Sequence, residues 1–159
     1  MKTFSRVVAD LSRVMYLIAG LTMVCSVLLT VSDVVLRTFK MPILGTYELV
    51  GVFAAIMVGF ALPETSRARG HVFMDLAASH FPSKVAKVFH VISRILGIAF
   101  FASVSWYLWI MGNDYLATGE TSTTLLIPLY PVAYALAICC IVECLVLFVE
   151  MFEQKEVEP

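Results

Sequence analysis

Residues 125–149 read LLIPLYPVAYALAICCIVECLVLFV, and Glu143 is the one charged side chain among them. About 20 mostly apolar residues are enough to cross the hydrocarbon core of a bilayer as an α-helix. No soluble domain needs so long an apolar run. Working outward, residues 14–36 and 85–112 are comparable stretches. Residues 47–62 are shorter, and reach spanning length only with Gly45 and Thr46 or with the turn after Pro63. Together these runs explain why 60% of the 159 residues are hydrophobic and only 14% charged, with a mean hydropathy of +0.91. A soluble chain of this length needs more polar surface than that. The expectation is an all-α integral membrane protein, one domain over residues 1–159 with four transmembrane helices.

Lys2, Arg6 and Arg13 could be the basic region of a cleaved signal peptide. The apolar run behind them is too long, however, and no small-residue cleavage site precedes Asp33, so the segment is read as a permanent helix. The eleven Lys and Arg residues are unevenly placed. Three precede the first stretch, and Arg37 and Lys40 lie in the first loop. Arg67, Arg69, Lys84, Lys87 and Arg94 surround the second loop, the third loop has none, and Lys155 is in the tail. Nine against two places both termini in the cytoplasm. Net charge is -1 and gives no sign of nucleic acid. Cys25, Cys139, Cys140 and Cys144 lie in apolar segments and read as small buried hydrophobes rather than disulfides or metal ligands.

Residues 1–13 place Phe4, Val7, Val8 and Leu11 on one helical face. This fits a short interfacial helix on the inner leaflet or an extension of the first helix. Pro42 and Gly45 shorten the first loop into a tight hairpin. Gly51, Ala55 and Gly59 form a row of small residues along the second helix, which lets another helix approach closely, within this chain or from a partner. Residues 63–83 read as the longest loop, with a second interfacial helix over 71–80 and Pro82 ending it. The third helix begins with Lys84 and Lys87, whose ammonium groups would reach lipid headgroups. Arg94 lies deeper, and Trp106, Tyr107, Trp109 and Tyr115 mark the opposite interface. Pro128 and Pro131 fall in the first turns of the last helix, where a missing amide costs little. Residues 150–159 form an acidic cytoplasmic tail.

Charges near the membrane find expected partners. Asp33, Arg37 and Glu48 share one depth, and Arg94 and Glu143 share another, so pairing inside the bundle accounts for both sets. No acidic residue falls at the bilayer midplane, which argues against a self-contained proton-coupled exporter. Motifs for ATP, a nucleophile or a metalloenzyme are absent. A haem-bearing anchor of a respiratory enzyme would need histidines at depth on facing helices. His71 and His80 are instead in a loop and His90 is near an interface.

The chain also resembles a known family, the small DctQ-type membrane subunit of tripartite ATP-independent periplasmic (TRAP) transporters. The likeness runs through Arg37, Pro42 and Tyr47–Glu48–Leu49. It continues in Gly70–His71–Val72 with Asp75 and Pro82, and in Thr121–Ser122 followed by Leu126, Ile127, Pro128 and Tyr130. It implies a non-enzymatic scaffold subunit in a bacterial inner membrane. Its partners would be a large multi-helix membrane subunit, a periplasmic substrate-binding protein at the outer face, and lipid. The resemblance puts sodium and substrate on the large subunit, leaving no cofactor here, and suggests an organic acid of the dicarboxylate or sialic acid class as cargo. The membrane anchor of a redox enzyme and the small exporter are the alternatives. Candidate structural or subunit-interface residues are Arg37, Glu48, Gly51, Ala55, Gly59, Arg94 and Glu143, with Lys84 and Lys87 as lipid contacts. No catalytic residue is carried over.

Overall fold

A computed structural model describes residues 2–78 and 83–153, with side chains described for 6–68 and 91–151. Among the described residues are four helices: α1 (Lys2–Thr38), α2 (Thr46–Ala78), α3 (Ser83–Thr118) and α4 (Tyr130–Glu153). Each contains a segment long and apolar enough to span a bilayer. The chain is therefore the expected all-α, multi-pass membrane protein.

The termini of these helices follow from local chemistry. At the end of α1, Met41 N donates to Leu36 O (3.0 Å) and Lys40 N to Arg37 O (3.1 Å), with Lys40 at φ 61°. That is the Schellman arrangement, which satisfies the last carbonyls of a helix. The end of α3 repeats part of it: Gly119 has φ +65°, and Glu120 N donates to Tyr115 O (3.2 Å). Gly45, at φ +79°, turns the chain into α2, and its carbonyl accepts from Glu48 N and Leu49 N. Helix α4 starts at Tyr130, so Pro131 is in its first turn, whereas Pro128 belongs to the preceding loop.

Two expected surface helices are not separate elements. Residues 2–13 run straight into α1, and residues 63–78 continue α2 through Pro63. Proline fixes a helical φ and removes only one amide, so in a membrane helix it interrupts less than in water. The result is a second helix of 33 residues, about 50 Å at 1.5 Å per residue. This exceeds a ~30 Å hydrocarbon core, so α2 runs on well past it. Residues 79–82 and 154–159, which include Pro82 and most of the acidic tail, lie outside the described residues.

Helices α1 and α2 form one antiparallel hairpin and α3 and α4 another. The hairpins meet through α2 and α4, which run parallel, while α1 touches α4 only lightly. Helix α4 is the hub. Of its most apolar 18 residues, 44% are buried, against 11% for each of the other three helices. Its buried side chains, including Ala133, Ala137, Cys139, Val142 and Val146, point in several directions at once. Helix α1 contributes the single stripe Val8, Ser12, Met15 and Ala19, the spacing of one helical face.

Close approach depends on glycine at particular points. A Cβ on Gly59 would sit 2.6 Å from Leu136 Cδ2 and 3.7 Å from Cys139 Cβ and Sγ, so this residue packs on α4. A Cβ on Gly51 would meet no atom within 4 Å. The small-residue row is thus divided: Gly59 packs inside the chain and Gly51 faces out. On α3, a Cβ on Gly112 would lie 2.8–3.1 Å from three carbons of the Tyr134 ring. That ring is held by Asn113 Oδ1 (2.7 Å) and by edge contacts with Trp109 and Tyr130, so it has little room to retreat.

Gly112→Ala should therefore lower the thermal stability of the purified protein, because overpacking at about 1–3 kcal/mol exceeds the roughly 1 kcal/mol of helix propensity gained. Gly51→Ala should cause no loss. Equal effects of the two substitutions would show that α3 and α4 are not in this contact.

Candidate functional site

The polar residues gather at the two ends of the bundle. At the loop end, Asp33 is buried on α1. Its Oδ2 accepts from Arg37 at 2.7 Å and its Oδ1 accepts from Ile43 N at 2.9 Å. One carboxylate thus satisfies a guanidinium and fixes the loop that leads into α2. The Arg37 guanidinium also lies 5.9 Å from the centre of the Tyr47 ring, within reach of a cation–π contact. Thr46, buried at the start of α2, donates to Ile43 O at 3.0 Å.

Glu48 does not join this group. Its carboxylate is enclosed by the third loop. Oε1 accepts from Thr123 Oγ1 (2.8 Å) and Thr124 N (2.7 Å), while Oε2 accepts from Leu125 N (3.0 Å) and from the Ser122 hydroxyl. Two hydroxyls and two amides in succession form a cage suited to one carboxylate. The hydroxyl-rich sequence 121–124 is therefore the binding partner of an acid on another helix. Gly45 completes the seam, since its backbone lies directly against the Leu125 side chain.

At the opposite end, Arg94 NH1 pairs with Glu150 Oε2 at 2.5 Å, and both side chains are largely buried. Glu143 is fully enclosed, at 0% exposure, and shares a hydrogen bond of 2.5 Å with the Ser66 hydroxyl of α2. Its Oε2 has no hydrogen-bond partner among the described residues. On the neighbouring turn of α2, Arg67 and Glu64 approach to 3.5 Å.

These geometries correct two sequence-based pairings. Arg94 meets Glu150, two turns along α4 from the expected Glu143, and Glu143 bridges to α2. Glu48 meets the third loop, not Arg37. Glu143 and Glu150 share one face of α4, so depth misses the Arg94 partner by two turns, whereas for Glu48 depth does not give the direction in which the side chain lies. Ser66, Glu150 and residues 122–124 were not selected from sequence, although Glu150 follows Glu143 at the seven-residue spacing of a shared face. Gly59 is buried and Ala55 half-buried on α2, whereas Gly51 is exposed. Lys84 and Lys87 are in the first turns of α3, and their side chains lie outside the described residues.

Along the α3–α4 seam the polar contacts are structural. Ser105 donates to Ala137 O at 3.0 Å, and Cys144 Sγ lies 3.7 Å from Ile98 O. Among the described residues the arrangement clamps helices and loops together.

Comparison with protein families matches the chain to the DctQ component of tripartite ATP-independent periplasmic transporters, over residues 26–156. Comparisons with curated proteins and with solved structures give no match.

Glu48→Ala should lower the unfolding midpoint of the purified protein by several degrees and expose the third loop, because four donors lose one acceptor. Glu48→Gln, which cannot accept from all four, should fall between the two. Labelling of a cysteine at Thr123 should rise in the same order. An unchanged midpoint and unchanged labelling in Glu48→Ala would refute the clasp.

Proposed function

The chain belongs to the DctQ family, and on that premise we propose that it is the static scaffold of a sodium-driven importer of an organic acid, of the dicarboxylate or sialic acid class. As a member of this family it is a transporter component and not an enzyme. The observation that carries the scaffold reading is the uneven burial of the bundle. Helix α4 is the most buried, with 44% of its most apolar window covered, while α1, α2 and α3 bury 11% of theirs. Exposed Val24, Leu28, Val31 and Val35 continue along α1, and Leu96, Phe100 and Tyr107 along α3. Such faces suit lipid and a second membrane subunit together, because membrane helices associate through packing rather than hydrophobic driving force.

The polar groups support the same reading. Asp33, Glu48, Glu143 and Glu150 are each engaged by a side chain or amide of this chain. None is left lining a path for a solute. Substrate and sodium would then be bound by the large membrane subunit, and this chain needs no cofactor. The excess of Lys and Arg at the end bearing the termini supports a cytoplasmic position for that end, and the membrane would be a bacterial inner membrane. The loop end then faces the periplasm and the soluble binding protein.

Reconstituted alone in vesicles, the chain should move no solute under a sodium gradient, and from native membranes it should co-purify with a large multi-helix subunit. Uptake by this chain alone would contradict the scaffold role.

A further inference from the structure

The first loop holds apolar side chains in the open. Leu44 and Tyr47 are 75% and 79% exposed, the highest values among the large hydrophobic residues described, and Phe39 and Met41 are exposed beside them. The backbone beneath is braced. Asp33 Oδ1 accepts from Ile43 N, Thr46 Oγ1 donates to Ile43 O, and the Schellman turn at Lys40 closes α1. The connection between Thr38 and Thr46 is short, so these side chains stay outward and do not fold back onto the bundle.

Two cations stand among them. Lys40 is exposed and forms no ion pair among the described residues. Arg37 bonds Asp33 through one nitrogen, and its side chain is still 53% exposed. A guanidinium carries five N–H donors, so some remain for a second anion. The acids at this end do not answer the two cations. Asp33 is already bonded, and Glu48 is enclosed by residues 122–125. Asp114 and Glu120 are exposed on the third loop and its approach, and among the described residues neither pairs with Arg37 or Lys40.

Position selects the partner. The apolar span of α1 ends at Thr38 and that of α2 begins at Thr46, so the loop sits where hydrocarbon gives way to headgroups. Cations interleaved with aromatic and aliphatic side chains at that level suit an amphiphile with a negative head. The phosphate meets the cations, and the chains meet the apolar residues. A soluble partner would first have to draw Phe39 and Leu44 away from that boundary, at the cost of the apolar burial they have there.

We propose that Arg37 and Lys40 hold the phosphate of an anionic phospholipid, whose acyl chains rest on Phe39, Leu44 and Tyr47. With the termini in the cytoplasm this is a lipid of the outer leaflet, and only that leaflet assignment rests on the reading given above.

A fluorophore on Met41→Cys, in the full chain with its four native cysteines replaced, reports which lipid stands beside the loop. The chain is placed in phosphatidylcholine nanodiscs that contain a small fraction of nitroxide-labelled phosphatidylglycerol or of nitroxide-labelled phosphatidylcholine. The anionic lipid should quench with about fivefold tighter apparent binding, equivalent to the roughly 1 kcal/mol that one basic side chain contributes at an anionic surface. Lys40→Asn supplies a neutral residue that accepts the left-handed φ of 61°. It should melt like the native chain and lose most of the preference, whereas Lys40→Arg should keep it. Inorganic phosphate at matched ionic strength should displace nothing. Equal quenching by the two lipids would overturn the proposal and leave the loop to a protein partner. Full preference in Lys40→Asn would overturn it too, as would displacement by inorganic phosphate, which would make this a site for the free ion. Nanodiscs offer the same lipid to both ends of the bundle, so none of these results depends on the scaffold reading or on which end faces outward.

Discussion

Everything in this bundle is arranged around the parallel contact between α2 and α4. The two hairpins have little else in common, since α1 only brushes α4 and α3 only brushes α2. Gly59 sets the distance, bringing the α2 backbone against Leu136 and Cys139. The hydrogen bond between Ser66 and Glu143 joins the same two helices two turns further along. Glu48, at the opposite end of α2, reaches the loop that leads into α4. Three fastenings along one seam fix the register of both hairpins, and a slip of one turn would separate all three pairs. A carboxyl group deprived of its partner inside a bilayer is costly, so the register is specified more sharply than apolar packing alone would specify it.

That seam fits the static scaffold proposed for this chain. Helix–helix contacts in lipid gain little from apolar burial, because lipid tails solvate leucine as well as leucine does. Stability then depends on close approach and on polar pairs. This chain supplies both, with glycine at Gly59 and Gly112 and with paired acids at Asp33, Glu48, Glu143 and Glu150. The remaining faces of α1, α2 and α3 stay apolar and uncovered. A component built this way can hold its shape while presenting a broad surface to lipid and to a second membrane subunit.

Much of the fold was legible in the sequence because bilayer thickness acts on local composition. Four apolar runs gave four helices, and Pro42 with Gly45 gave the first hairpin. Helix ends were less legible. Pro63 read as a stop, yet α2 continues to Ala78, because a single missing amide is a small defect in a helix that neighbours support. Pairings were least legible. The depth of Arg94 suggested Glu143, but Glu143 and Glu150 share one face of α4, and Arg94 pairs with the second of them, two turns further along. Glu48 offered no signal for its cage, since Ser122, Thr123 and Thr124 lie 74–76 positions away in the chain. The resemblance to the DctQ type, carried by fragments from Arg37 to Tyr130, agrees with the family match over residues 26–156.

The α2–α4 register can be measured by cross-linking. A Cβ at position 59 lies 3.7 Å from Cys139 Cβ, inside the roughly 3.5–4.5 Å span of a disulfide. In a chain that keeps Cys139 as its sole native cysteine, Gly59→Cys should form an intramolecular disulfide on mild oxidation, and Gly51→Cys should not. Bridging from position 51 with none from position 59 would contradict the seam on which this account depends.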